Sequence, residues 1–209
     1  MDNHERQLED GIFIGNQVDK GNLKNPISRA LVNGFDKRLF EGLTRLAPRS
    51  IHEVGCGEAR LTRAMQETFQ VPVHGSDFSA AVIDGNAQWA KDALSFEQLS
   101  IYDLDAQRHG RDVVVCCEVL EHLEAPERGL AKLRELGARA YLLSVPREPI
   151  WRALNMARGQ YWGDWGNTPG HLNHWSPSAF ARFLEGGGFE VDAWYNPFPW
   201  IMVSARIRE

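Results

Sequence analysis

The stretch Glu53-Val54-Gly55-Cys56-Gly57 constrains this chain more than any other, because an apolar run closes on a glycine-rich turn and a helical stretch opens directly after it. A chain that leaves a buried strand in this way presents backbone, not side chain, to whatever lies at the strand's carboxyl end. Glycine tolerates the φ values such a turn needs and lets a ligand come close. In open α/β sheets the crevice at the strands' carboxyl ends is where ligands bind.

From about Ile51 short apolar runs alternate with helical stretches, the signature of a parallel sheet covered on both faces. The pattern predicts strands over Ile51–Gly55, Val71–Ser76, Leu94–Ile101, Asp112–Cys117, Ala140–Val145, Phe189–Tyr195 and Trp200–Ile207. Between them, Arg60–Phe69, Ala80–Ala93, Ala125–Leu136 and Pro177–Glu185 read as helices, the last opened by a Ser176 cap with proline at the first helical position. The final two strands flank Asn196-Pro197-Phe198-Pro199 with no helix between them and are expected to pair antiparallel at one sheet edge. The expected organisation is an α/β, Rossmann-like domain over 51–209, preceded by an N-terminal helical cap or flap over 1–50 with a helix at Ile27–Leu46. A Trp-, Gly-, Asn- and Pro-rich insert at about 147–175 has no evident secondary structure, and structureless segments of that length usually serve as lids or binding loops. Six of the seven tryptophans lie between Trp151 and Trp200. Trp162, Trp165 and Trp175 sit among loop-forming residues and are expected to wall or cover a pocket.

Composition removes several functions. A formal net charge of −5 gives no basic footprint, so generic nucleic-acid binding is disfavoured. No apolar run approaches a membrane span of about 20 residues. The start Met1-Asp2-Asn3-His4-Glu5-Arg6 is too polar and acidic for a signal or transit peptide. The adjacent Cys116 and Cys117, with Cys56 inside the turn, form neither a disulfide framework nor a Cys-x-x-Cys metal pattern. A cytoplasmic protein is expected, with Cys116 and Cys117 pointing to opposite sides of their strand.

Acidic residues recur at the strand ends. Asp77 ends the second strand and Asp103 follows the third, in register with Gly55 and Gly57 along one rim. An acid after the second strand can accept both hydroxyls of a ribose, and Phe78 beside it offers an apolar face to a purine. A dinucleotide site would require a third small residue where Arg60 stands. Hydride transfer from NAD is therefore disfavoured. S-adenosylmethionine needs no phosphate cradle, and Glu53 could meet its ammonium directly or through a water.

The sequence resembles the class I S-adenosylmethionine-dependent methyltransferases over about residues 47–207. His52-Glu53-Val54-Gly55-Cys56-Gly57-Glu58-Ala59-Arg60 is similar to their first motif, Asp77 to the ribose-binding acid, and Tyr102-Asp103 to the pair beside the adenine. Glu118-Val119-Leu120-Glu121-His122-Leu123 is similar to the segment after their fourth strand. The resemblance implies a seven-stranded, mostly parallel sheet with an antiparallel last strand. It also implies S-adenosyl-L-methionine held by Glu53, Gly55, Cys56, Gly57, Asp77, Phe78, Tyr102, Asp103 and Glu118.

If Glu118 begins a helical turn, Glu121 and His122 share its face. Farther on, His171-Leu172-Asn173-His174 adds two imidazoles. A similar pair of blocks occurs in the ubiquinone-pathway O-methyltransferases and in the small-RNA 3′-terminal ribose methyltransferases, where such residues can hold a divalent ion. That resemblance makes Glu118, Glu121, His122 and His171 a candidate set for Mg²⁺ or a transition metal. The competing reading has Glu118 closing the cofactor pocket, His122 acting alone as general base, and His171 and His174 bonding loop carbonyls. His122, Glu121 and His174 are the catalytic candidates. The expected reaction is in-line displacement, with an acceptor heteroatom attacking the sulfonium methyl. The absence of an Asn-Pro-Pro-Tyr-type segment after the fourth strand argues against exocyclic amines of nucleic-acid bases and leaves oxygen as first choice, on a small, partly apolar acceptor. The alternatives are an RNA 3′-terminal ribose 2′-O-methyltransferase, N- or C-methylation of a small molecule, and a non-catalytic partner subunit with the same fold.

Overall fold

The computed structural model describes residues 25–159 and 161–209 and, for the backbone alone, the two-residue strands Leu8–Glu9 and Ile12–Phe13, which pair antiparallel. The rest of the expected N-terminal cap before Asn25, including Asp19, Lys20 and Lys24, which could reach over a bound cofactor or form a solvated basic face, lies outside the described residues.

Seven strands form the sheet: β1 (Ile51–Val54), β2 (Val73–Asp77), β3 (Leu94–Gln98), β4 (Val113–Cys117), β5 (Ala140–Pro146), β6 (Phe189–Trp194) and β7 (Trp200–Ile207). Their spatial order is β3-β2-β1-β4-β5-β7-β6. The first five are parallel, and β7 runs antiparallel to both β5 and β6. The expected fold class is borne out, with the antiparallel edge pair where the sequence placed it. The strand order reverses between β1 and β4, which opens a crevice at their carboxyl ends.

The central strands bury both faces, and their alternation sorts residues between two cores. On one face Val114, Cys116 and Leu143 pack with Leu130, Phe180 and Leu184. On the other, Val113, Val115, Cys117 and Leu142 pack with Phe35, Leu39, Leu43 and Met65. Phe35, Leu39 and Leu43 come from α1 (Pro26–Leu46), which Asn25 caps through its side chain. Met65 comes from α2 (Arg60–Phe69).

Three helical expectations are corrected. The stretch expected as one helix over Ala80–Ala93 ends early: α3 covers Ala80–Asn86, and a 3-10 turn, Ala87–Trp89, follows. Gly85 is a weak helix former, and the buried Asn86 amide turns to the Gly57 carbonyl, to which it donates at 2.8 Å. A four-residue α4 (Ala106–His109) precedes α5 (Pro126–Glu135). The insert is not structureless: it carries α6 (Ile150–Ala157) and a 3-10 turn, Trp162–Asp164, before α7 (Pro177–Gly186). Arg147 bridges to Trp175, which closes the insert at its base.

Candidate functional site

The glycine turn after β1 is built by backbone geometry. Gly55 and Gly57 have φ of +80° and +49°, and the Gly55 and Cys56 N–H groups both donate to the Ser76 carbonyl at 2.8 and 2.9 Å. A Cβ on Gly55 would lie 2.2 Å from Val119 Cγ2, so only glycine lets the two loops approach. Asp77, at the end of β2, accepts from the Gly57 N–H at 3.0 Å and the Ser79 N–H at 3.1 Å. Its carboxylate is thereby pinned beside the turn. Glu53 is buried and accepts from the Thr62 hydroxyl of α2 at 2.5 Å.

Around these groups lies a cleft of about 460 Å³, within the usual size of small-molecule sites. Glu53, Asp77 and Glu118 line it with carboxylates, and Phe78, Leu99, Ile101, Tyr102 and Val119 supply apolar surface. Gly55, Cys56 and Gly57 line it as expected, and His122 and Leu123 form part of the same wall. Burial, followed by the Glu53 carboxylate, holds the Cys56 thiol far above its ordinary range, so Cys56 is an inert wall group. Asp103 is the exception among the expected cofactor residues. The chain leaves β3 at Gln98 and makes a 3-10 turn, Ile101–Asp103, that leaves Asp103 exposed and off the cleft lining, while Ser100 and Tyr102 line it. Arg60 is the one lysine or arginine in the lining among the described residues, and its guanidinium grips Asp36 of α1 at 2.6 and 2.9 Å.

Glu118 does not start a helical turn. Its φ of +59° is left-handed, and the 3-10 turn begins two residues later, at Leu120–His122. Glu118 instead accepts from Ser144 Oγ at 3.1 Å and from the Trp200 indole N–H at 2.7 Å. The groups brought together are Glu121, His122 and His171, each offering a ligand atom within 4.8 Å of the others. Glu121 is buried, with its Oε1 4.0 Å from His122 Nε2. His122 Nδ1 lies 2.9 Å from the Gly170 carbonyl, which can only accept, so Nδ1 carries a proton and, in the neutral ring, the lone pair is on Nε2. His171 is buried against His122 and Trp151, with ring centroids 4.9 and 6.1 Å apart. Burial, then the neighbouring imidazoles, depress its pKa to about 3, so it is neutral. His174 stands apart, exposed and bonded to Asn167 Oδ1 at 2.7 Å.

The tryptophan expectation is corrected as well. Trp162 and Trp165 are 64% and 74% exposed, and Trp175 is buried against Phe180 and Phe183, so none of the three lines the cleft. Trp200, at the start of β7, does line it, with its ring 5.1 Å from Phe35 and 5.4 Å from Trp151. Sequence reasoning also missed Val32 and Phe35 of α1, Thr62 and Asn86, because their roles depend on which helix face meets the turn.

A methyltransferase domain family model matches residues 31–193, most of the chain. The chain is 26% identical over 180 residues to a ubiquinone biosynthesis O-methyltransferase from Cupriavidus pinatubonensis, covering 80% of this chain and 72% of that protein. It is 24% identical over 186 residues to the Coxiella burnetii protein of the same name, covering 80% and 78%. Among solved structures, magnesium protoporphyrin IX methyltransferase from Synechocystis PCC 6803 with bound SAH superposes with a TM-score of 0.67 at 18% identity, covering 90% of each chain.

Proposed function

The chain belongs to the methyltransferase domain family and is an S-adenosylmethionine-dependent methyltransferase, and from that premise we propose that it methylates a hydroxyl of a small-molecule acceptor, with His122 taking the proton. The donor set of the cleft fits the cofactor. Four carboxylates, Glu53, Glu58, Asp77 and Glu118, and an apolar wall suit a nucleoside with a cationic tail, whereas the one cationic side chain a pyrophosphate would meet among the described lining residues is Arg60, already bound to Asp36. In this reading Asp77 accepts the ribose hydroxyls, Glu53 meets the ammonium, and Phe78, Ile101 and Tyr102 flank the purine.

When bound, S-adenosylmethionine supplies a methyl group on a positively charged sulfur that leaves neutral. The acceptor oxygen forms the new bond to that methyl as the carbon–sulfur bond breaks. Alignment carries most of the acceleration. The hydroxyl proton passes to Nε2 of His122, the nitrogen that carries the lone pair when the ring is neutral and Nδ1 is bonded to the Gly170 carbonyl. That bond is the observation that carries the base assignment. An oxygen acceptor agrees with the O-methyltransferase relatives. A small acceptor agrees with a lining whose one arginine is neutralised.

A second reading rests on the convergence of Glu121, His122 and His171. Two imidazoles and one carboxylate would hold a divalent ion of transition-metal type better than Mg²⁺, which prefers an oxygen shell. Such an ion would orient and acidify the acceptor hydroxyl. The two readings exclude each other at one atom, because Nε2 of His122 cannot both ligate a cation and accept a proton. Transfer of labelled methyl to a panel of hydroxyl compounds, with and without EDTA, separates them. Turnover that persists in chelator and collapses in His122→Gln supports the base, and turnover abolished by EDTA supports the ion. Full activity of His122→Gln in chelator would refute both.

A further inference from the structure

The Leu120–His122 turn carries two of the three groups on which the chemistry depends, and Leu120 anchors it in the core. It is a three-residue 3-10 turn with no side-chain cap, and such turns have poorer hydrogen-bond geometry than α-helix. Its own backbone bonds are His122 N–H to the Val119 carbonyl at 3.0 Å and Leu123 N–H to the Leu120 carbonyl at 3.3 Å. The further bonds fixing it come from one stretch of the insert. The N–H groups of Leu172 and Asn173 both donate to the Glu121 carbonyl, at 2.8 and 3.0 Å. The Asn173 side-chain amide donates to the Leu123 carbonyl at 2.6 Å and to the Leu120 carbonyl at 3.3 Å. The Gly170 carbonyl accepts from the His122 ring at Nδ1, at 2.9 Å.

We propose that Asn173 is a positioning residue for the reaction: it clamps the carbonyls on either side of Glu121-His122 and so fixes the tautomer and placement of the His122 imidazole. The side-chain amide has two N–H donors, and both are used, one on each side of the pair. The clamp also explains the spacing of the His171-Leu172-Asn173-His174 block. His171 is delivered to the turn while Asn173, two residues on, grips it, and His174 is left exposed. Loss of the clamp removes the two side-chain bonds that brace the turn and leaves it on the backbone bonds to Glu121 and the Gly170 contact, without touching Glu53, Asp77 or the glycine turn. The carboxylates and the glycine turn of the cofactor cleft therefore stay in place when the clamp is removed, and the His122–Leu123 part of the wall is what shifts.

The inference rests on the reading of His122 as the base, and the test tells the two apart. Protein labelled with ¹⁵N in histidine, with the His122 signals assigned from His122→Gln, reports the tautomer directly from its ring nitrogens. Wild type should show a protonated Nδ1 and a bare Nε2. A wild-type His122 protonated on Nε2 would refute the base assignment itself. In Asn173→Asp, which keeps the shape but removes both donors, the two ring nitrogens should average toward mixed tautomers. The Leu172 amide should exchange with solvent about tenfold faster, as expected for a locally opened segment, while S-adenosylmethionine affinity stays within about twofold. Asn173→Ala, which removes the donors without adding charge, should behave alike. Loss of stability alone would not shift the tautomer. A folded Asn173→Asp or Asn173→Ala with unchanged His122 nitrogens and unchanged Leu172 exchange would overturn the assignment, as would failure of both variants to fold.

Discussion

Acid should destabilise this fold through a buried histidine beneath the site. His52 is fully buried on β1, lying 3.0 Å through Nδ1 from the His109 carbonyl and 2.9 Å through Nε2 from the Ser76 hydroxyl. The carbonyl can only accept, so the ring is neutral with its proton on Nδ1. Burial, then the neighbouring His74, depress its pKa from 6.5 to about 3. His74 is pushed the same way, to about 4, by burial and then Arg111, against the pull of Glu97. A depressed folded-state pKa means that the unfolded chain binds the proton first. The stability tied to the neutral ring is therefore complete above pH 6.5 and lost as pH falls toward 3. At pH 5 the unfolded imidazole is 1.5 units below its pKa and the folded one is still neutral. At about 1.36 kcal/mol per unit, His52 alone costs about 2 kcal/mol there. The assay is urea unfolding at pH 8 and pH 5 for wild type and His52→Gln, which cannot titrate in this range. The variant's loss between the two pH values should be smaller than the wild type's by about 2 kcal/mol. Equal losses in the two proteins would refute the reasoning.

Two further substitutions probe the cleft. Gly55→Ala places a Cβ 2.2 Å from Val119 Cγ2 at a φ of +80°, a conformation costing about 1–2 kcal/mol for a non-glycine residue. It should weaken S-adenosylmethionine binding about tenfold or more, a factor worth about 1.4 kcal/mol, while Gly34→Ala, with nothing within 4 Å, leaves it unchanged; equal behaviour by calorimetry would contradict the turn's role. Trp200→Phe removes the indole N–H from Glu118 at 2.7 Å and should cost about 1.5–3 kcal/mol by urea unfolding, as for other hydrogen bonds to charged groups. A double-mutant cycle with Glu118→Ala, which removes the acceptor, should show strongly non-additive losses, and additive losses would mean that the bond contributes nothing.

The strand–turn–helix unit at Glu53–Arg60 was legible because its signals are local: an apolar run, glycines where φ is positive, and a helix that begins at Arg60 as expected. Trp200–Ile207 was equally clear, since prolines at 197 and 199 mark its start. Asp77 was placed correctly beside the turn because strand ends in a parallel sheet share a rim. Asp103 was misplaced for the same local reason: its position depends on where β3 stops, and the 3-10 turn after Gln98 carries it away from the rim. Glu118 showed that spacing alone does not fix a shared face, because a left-handed residue redirects its carboxylate to Trp200, eighty-two positions away. Trp162, Trp165 and Trp175 were misread because aromatic residues in a loop carry no indication of which core they join. Asn173 carries no local signal in the sequence, because its side-chain bonds run to carbonyls about fifty positions earlier in the chain.

The central claim is that the cleft between β1, β2 and β4 holds S-adenosylmethionine through Asp77. Calorimetric titration of wild type, Asp77→Ala and Asp103→Ala with S-adenosylmethionine tests it most directly. Saturable binding by wild type and by Asp103→Ala, with a loss of at least about tenfold in Asp77→Ala, is the predicted result; tenfold corresponds to about 1.4 kcal/mol, the scale of one hydrogen bond to a charged group. A folded wild-type protein that takes up no S-adenosylmethionine at millimolar concentration, or an Asp77→Ala variant that binds as tightly as wild type, would contradict it.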